Sequence, residues 1–275
     1  MFGIRFMTGA LVTGLSLGAA TTTYSASDDA SLRADLERVA QRRIFFGHQS
    51  VGDNLLEGIS QLSTMAGVPV RIEKVESAIN VKQAMIGQTY IADNEFPFKK
   101  LKSFEQAMGQ KKTGLDVALM KFCYVDLKAD TDVNALFSSY LATIEGLKER
   151  NPGTTFVHVT APLTSEKSGP KEFVKRLLGR GGTIHNARRE EYNSLLRKKY
   201  QGSEPIFDLA RVESLAQDGT AVTVEWKGSV VPVMALAYTN DGGHLNSEGR
   251  LRAARELISV LAAIPVKSAS VGAIR

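Results

Sequence analysis

The sequence predicts a single α/β/α sandwich built on a mainly parallel sheet. Three observations lead there. Short apolar runs of strand type alternate with segments of helical period ten or more residues long, and such βαβ crossovers bury a parallel sheet between two helical layers. The 275 residues, 43% apolar and 23% charged, suit one large or two small domains with a sizeable core. One Cys leaves neither an intramolecular disulfide nor a thiolate metal cluster, which excludes a stapled mini-scaffold and a zinc ribbon.

The elements follow in order. Leu32, Leu36 and Val39 recur at helical spacing in a charged background and give an amphipathic helix ending near Gln41 to Arg43. Ile44 to Phe46 is a compact apolar run stopped by Gly47, the pattern of a buried strand. Leu55, Leu56, Ile59 and Leu62 restore the helical period until Gly67 to Pro69 breaks it, and Val70 to Val75 alternates as a strand. Val117 to Met120 is a further strand, and a long helix then carries Val133, Phe137, Tyr140, Ile144 and Leu147 to the stop signal Asn151-Pro152-Gly153. Phe156 to Thr160 is a strand, a basic helix runs from about Asn186 to Tyr200, Ile206-Phe207 is a short strand, and a last helix carries Leu251, Leu257, Ile258 and Leu261. Two β-branched runs, Thr223 to Trp226 and Val230 to Val233, flank Gly228 and predict a small β-hairpin inserted before that helix.

Both ends lie outside this pattern. Arg5 precedes an uncharged stretch from Phe6 to Ala20 that ends in small residues, the layout of a secretory signal peptide over 1–27. The apolar run falls short of the roughly 18 to 20 residues a spanning helix needs. No Cys follows it to carry a lipid, so the expectation is cleavage between Ala20 and Asp28 and an exported, periplasmic or secreted domain over 28–264 with no stable membrane span. Residues 265–275 read as a flexible tail. The net charge of +5 comes from 34 basic and 29 acidic side chains spread along the chain, without the concentrated basic stripe of a nucleic-acid footprint.

In a parallel sheet the ligand crevice lies at the carboxyl ends of the strands, where the topology switches direction. After the first strand comes Gly47-His48-Gln49-Ser50-Val51-Gly52, which sets a hydroxyl at the start of a helix, where backbone N–H groups favour negative charge. Ser50 fits a nucleophile there and equally a helix cap. Neither a Walker phosphate loop nor a Gly-x-Gly-x-x-Gly fingerprint is present. Before the last helix, Asp241-Gly242-Gly243-His244 sets a carboxylate three residues from an imidazole on a Gly-rich turn. That spacing suits a base oriented by an acid, or ordinary turn and loop chemistry. His158 and His185 read as structural, Cys123 as a small buried residue, and Lys121 as a strand-end lysine reaching water. Arg188, Arg189, Arg197, Lys198 and Lys199 read as a solvated helix face.

Ser after the first strand and Asp-x-x-His before the last helix, in one α/β chain, resemble the SGNH (GDSL-like) hydrolase superfamily from about Arg43 to Ala263. Asp116 to Met120 leading to Asp126-Leu127, Thr160-Ala161-Pro162, Tyr192-Asn193 and Ile206 to Leu209 extend the resemblance. It implies a flavodoxin-like sandwich and ester hydrolysis with Ser50 as nucleophile, His244 as general base and Asp241 as its orienting partner, with no metal or organic cofactor. Two blocks depart from the family. His48 and Gln49 stand where it has a single Asp between Gly and Ser, and Val125 stands where it has the Asn that donates to the oxyanion. A substitute donor is therefore expected among the Ser50 backbone, the Gly87 backbone and the side chains of Asn94, Gln49 or Tyr124, while His48 contacts substrate or orders the serine turn. The expected substrate is a small-molecule or carbohydrate ester. The rival readings are an O-acyltransferase with the same triad and a non-catalytic glycan-binding protein on the same scaffold.

Overall fold

The computed structural model describes residues 26–166 and 182–265. The expected leader, apart from its last two residues, and the tail beyond Pro265 lie outside the described residues.

A six-stranded sheet forms from β1 (Arg43–His48), β2 (Ile72–Lys74), β3 (Met85–Tyr90), β4 (Val117–Met120), β5 (Thr155–Val159) and β6 (Ile206–Phe207), in the order β2-β3-β1-β4-β5-β6. All five pairings are parallel. Helices α1 (Ala26–Val39), α2 (Val51–Ala66), α3 (Pro97–Met108), α4 (Val133–Arg150), α5 (Thr183–Tyr200), α6 (Leu209–Ser214) and α7 (Ser247–Ala263) cover it. The layering follows from the period of two along each strand. Ile44 and Phe46 face a core made with Leu36, Leu55, Ile59, Leu257 and Ile258 of α1, α2 and α7. Phe45 points the other way, into a core with Leu101, Phe104, Leu136, Tyr140 and Leu196 of α3, α4 and α5. The chain is thus an α/β/α sandwich, as the alternating periods predict.

The hairpin is also present, as antiparallel β7 (Thr223–Trp226) and β8 (Ser229–Pro232). Its two turn residues, Lys227 and Gly228, both take positive φ, 50° and 77°, which matches the tight turn that suits the twist of paired strands.

β3, α3 and the short α6 are elements that the sequence pattern did not announce. The strand contains Gly87, followed by Gln88 and Thr89. Gly87 is there for packing: a Cβ at that position would lie 2.4 Å from Val81 Cγ2 and 3.1 Å from Val75 Cγ2. With β3 included, β1 has neighbours that continue in opposite directions along the chain, so the switch point falls between the carboxyl ends of β1 and β4. Among the described residues no helix is long and apolar enough to cross a membrane.

Candidate active site

β1 ends at His48, and two residues later Ser50 stands at the N-terminus of α2. Its side chain makes no capping hydrogen bond. The helix start is closed by backbone instead: Gly52 N–H donates to Gln49 O at 2.7 Å and Asp53 N–H to Ser50 O at 2.9 Å. The hydroxyl is left at the switch point, 3.8 Å from the Sγ of Cys123, which follows β4.

The second half of the site is a turn held by one carboxylate. Asp241 Oδ1 accepts the N–H groups of Gly243 at 2.9 Å and His244 at 2.8 Å, while Oδ2 meets His244 Nδ1 at 2.7 Å. These bonds hold the Asp241 carboxyl well below the usual carboxylate range, the Gly243 N–H contributing most. An ionised Asp241 accepts a proton bond from Nδ1, which leaves Nε2 of a neutral ring with its lone pair. Both side chains are partly exposed.

Two contacts bring this turn to the serine side. Asn54 of α2 accepts the Leu245 N–H through Oδ1 at 3.1 Å, and the Tyr124 ring stands edge-on to the His244 ring, 5.6 Å between centroids. Tyr124 follows Cys123 in a 3-10 turn, Tyr124–Asp126. The approach requires glycine at 243, where a Cβ would lie 2.6 to 2.9 Å from the Tyr124 ring and hydroxyl. Burial pushes the Tyr124 phenol up, with Cys123 and Asp241 adding to it. The structure therefore brings His244, Asp241 and Tyr124 together and sets Ser50 beside Cys123. Ser50 and His244 make no hydrogen bond to each other.

Several expected substrate groups are committed elsewhere. Gly87 lies inside β3, paired to Phe45 on one side and Glu73 on the other, so its N–H belongs to the sheet and not to a loop facing the crevice. Gln49 donates through its amide Nε2 to two backbone carbonyls, Ile91 O at 3.2 Å and Ala92 O at 2.9 Å, and so ties the β3–α3 loop to the serine turn. His48 is fully buried, its Nε2 against Gln88 Oε1 at 3.0 Å and its ring packed under the start of α2, where a Cβ on Gly52 would lie 2.3 to 2.4 Å from it. Burial first, then Lys121, lowers its pKa to about 4, so it is neutral at physiological pH. Asn94 does lie in the loop after β3, and its Oδ1 accepts from Lys100 Nζ at 2.7 Å, a bond that uses the acceptor of its amide and not the donor.

Beneath the serine is a buried charged layer that the sequence pattern did not disclose. Lys100 Nζ pairs with Asp126 Oδ2 at 2.6 Å, and the same carboxylate accepts the Cys123 and Glu95 N–H groups. Lys121 does not reach water; it is buried, and burial brings its pKa down to about 8. Arg189 leaves the basic helix face for the interior, donating to Tyr124 O at 2.8 Å, Thr164 Oγ1 at 2.9 Å and Asn186 Oδ1 at 2.6 Å. Arg197 pairs with Asp208 and Glu190, and only Lys198 and Lys199 of that cluster are exposed. Glu213, also buried, accepts the Leu163 N–H at 2.6 Å, and burial pushes its pKa up to about 8. Among the described residues no group of three or more His, Cys, Asp or Glu side chains is placed to hold a metal ion.

No family model matches the chain, and no curated protein matches it in sequence. Solved structures that it is similar to include a candidate platelet activating factor from Streptococcus pneumonia, at 13% identity and TM-score 0.49 over 86% of this chain and 93% of that one. A candidate lipolytic protein of the G-D-S-L family from Desulfitobacterium hafniense is similar at 9% identity and TM-score 0.47, over 79% and 99%. An acetyl xylan esterase is similar at 15% identity and TM-score 0.47, over 78% and 97%.

Proposed function

We propose that this chain is an exported serine hydrolase of the SGNH type that cleaves an ester-linked acyl group, with acetylated carbohydrate as the first substrate class to test. The observation that carries the reading is the pairing of two features at one switch point: a serine hydroxyl released from capping at a helix N-terminus, and an imidazole whose Nδ1 is held by an ionised carboxylate. Ser50 Oγ attacks the acyl carbon as His244 Nε2 takes its proton. The tetrahedral oxyanion develops at the N-terminus of α2, where the backbone N–H groups of Ser50 and Val51 and the phenol of Tyr124 stand in for the Asn that Val125 replaces. His244 then returns the proton to the leaving alkoxide, and water releases the acyl group from Ser50 by the same route in reverse. Leader residues 1–27 direct export in this reading, and 28–264 form the catalytic domain.

The test uses the mature chain with a fluorophosphonate probe and p-nitrophenyl acetate, beside Ser50→Ala and His244→Ala. Wild type labels and hydrolyses while both variants do neither. Unlabelled wild type, or variants that match it, would overturn the triad. Turnover that a sugar acceptor accelerates with transfer of the acetyl group assigns the acyltransferase reaction to the same residues.

A further inference from the structure

The orientation of a general base depends on its backbone as much as on its ring partner. The direction of the His244 Cα–Cβ bond is set by the two peptide planes that flank it, since each plane is rigid. The preceding plane is fixed by the His244 N–H, which donates to Asp241 Oδ1 at 2.8 Å. The following plane is fixed by the Leu245 N–H, which donates to Asn54 Oδ1 at 3.1 Å. The two acceptors differ in what they refer the ring to. Asp241 belongs to the turn itself and moves with it. Asn54 belongs to α2, one helical turn beyond Ser50, and its own N–H donates to Ser50 O at 3.3 Å. A two-bond path therefore joins the peptide of the serine to the peptide after the histidine.

The same residue is held from its other side. Leu245 O accepts from Arg250 Nε at 3.1 Å, and Arg250 Nη1 pairs with Glu57 of α2, three residues past Asn54. The Leu245 side chain is buried. Both polar groups of Leu245 thus refer to the helix that Ser50 opens, directly through Asn54 and through Arg250 for the carbonyl.

We propose that Asn54 is a positioning residue: it sets the His244 imidazole relative to the Ser50 hydroxyl by accepting the Leu245 N–H, and the pair Glu57–Arg250 supports it. The proposal rests on the serine hydrolase reading for its catalytic consequence but not for the hydrogen bond. A hydroxyl and an imidazole that make no bond in the resting site must meet during attack, and a displacement of about 1 Å at such a centre costs up to about 100-fold in rate. Asn54 has no place in binding the acyl group, so its removal lowers kcat and leaves KM unchanged.

The variants are Asn54→Ala, which deletes the acceptor, and Asn54→Asp, which retains an oxygen there. Hydrolysis of p-nitrophenyl acetate is expected to lose about 10- to 100-fold in kcat with Asn54→Ala at unchanged KM, and to recover most of that with Asn54→Asp. Amide exchange at Leu245 is measured in the same three proteins: it accelerates in Asn54→Ala and stays protected in Asn54→Asp. Thermal melting above the assay temperature in both variants separates misplacement from unfolding. Wild-type kcat in Asn54→Ala, or an equal loss of kcat in Asn54→Asp with Leu245 still protected, overturns the positioning role. Wild type inert to esters and to fluorophosphonate overturns the hydrolase reading instead, and the exchange rates then still decide whether Asn54 fixes the Leu245 peptide.

Discussion

Two acid–base pairs of nearly equal length stand at the carboxyl edge of the sheet in opposite surroundings. Lys100 Nζ and Asp126 Oδ2 are 2.6 Å apart with neither side chain exposed, whereas His244 Nδ1 and Asp241 Oδ2 are 2.7 Å apart with 40% and 57% exposure. In the dry pair every polar side-chain atom has a partner. Asp126 also accepts two backbone N–H groups and Lys100 also donates to Asn94, so the pair stitches the loop after β3, the start of the turn after β4 and α3 into one body. In the wet pair an atom is left over: Nε2 of His244 makes no protein hydrogen bond among the described residues. Bond length does not separate structure from chemistry here; the unspent atom does.

The largest effect expected from breaking this contrast is on the wet side and appears in rate alone. Asp241→Asn keeps an oxygen for the two backbone N–H groups but presents an amide donor to Nδ1, so the neutral ring carries its proton on Nε2 and cannot act as base. Loss of kcat by about 10,000-fold is the corresponding magnitude where a triad carboxylate is replaced in this way. Ester hydrolysis and thermal unfolding of the purified variant check it together. A large fall in melting temperature would place Asp241 with the structural pair, as would full activity.

The dry side responds in stability. Lys100→Met leaves the Asp126 carboxylate buried without its cation, and removing one partner of a buried pair costs about 3 to 5 kcal/mol. Urea unfolding of the variant measures the loss. Replacing both partners, Lys100→Met with Asp126→Leu, discriminates the cause: it removes the uncompensated charge but strips acceptors from the Cys123 and Glu95 N–H groups. Recovery of stability assigns the cost to the charge, and continued loss assigns it to the backbone bonds.

This division also explains what could be read before folding. The buried strands announce themselves because Ile44 to Phe46 and Val117 to Met120 are continuous apolar runs, and the Asp241–His244 spacing is local, needing only the turn that Gly242 and Gly243 permit. β3 is muted because Gly87, Gln88 and Thr89 interrupt its apolar character, and the demand for glycine there comes from Val75 and Val81 packing over it. The donors proposed for the oxyanion were harder still. Gln49 is used up by carbonyls 42 and 43 residues away, and nothing at its own position declares that. Lys121 and Arg189 resemble surface residues in sequence, and Arg189 is drawn inside by Tyr124 O and Thr164 Oγ1, 65 and 25 residues away, which only the assembled fold brings near. Asn54 had a weak local sign, its place one helical turn after Ser50, but its partner Leu245 lies 191 residues on.

Glu213 sharpens the contrast because it is dry without a dedicated cation. It accepts one N–H, from Leu163, and Lys121 and Arg189 act on it only as nearby charges, so burial dominates and its pKa rises to about 8 from 4.5. The direction of linkage follows. Between about pH 4.5 and 8 the folded protein holds this proton and the unfolded chain has released it, so the folded state binds more protons and stability falls as pH rises through that window. Below it the carboxyl is neutral in both states and the burial carries no charge penalty. Glu213→Gln supplies a permanently neutral side chain that still offers an oxygen to the Leu163 N–H. Its unfolding free energy, followed by urea titration from pH 5 to 8, is expected to decline less with pH than that of the wild type, the two curves converging at the acid end. Parallel curves would mean that Glu213 is ionised across the range and paired with Lys121 or Arg189, which would move it to the same class as Lys100–Asp126.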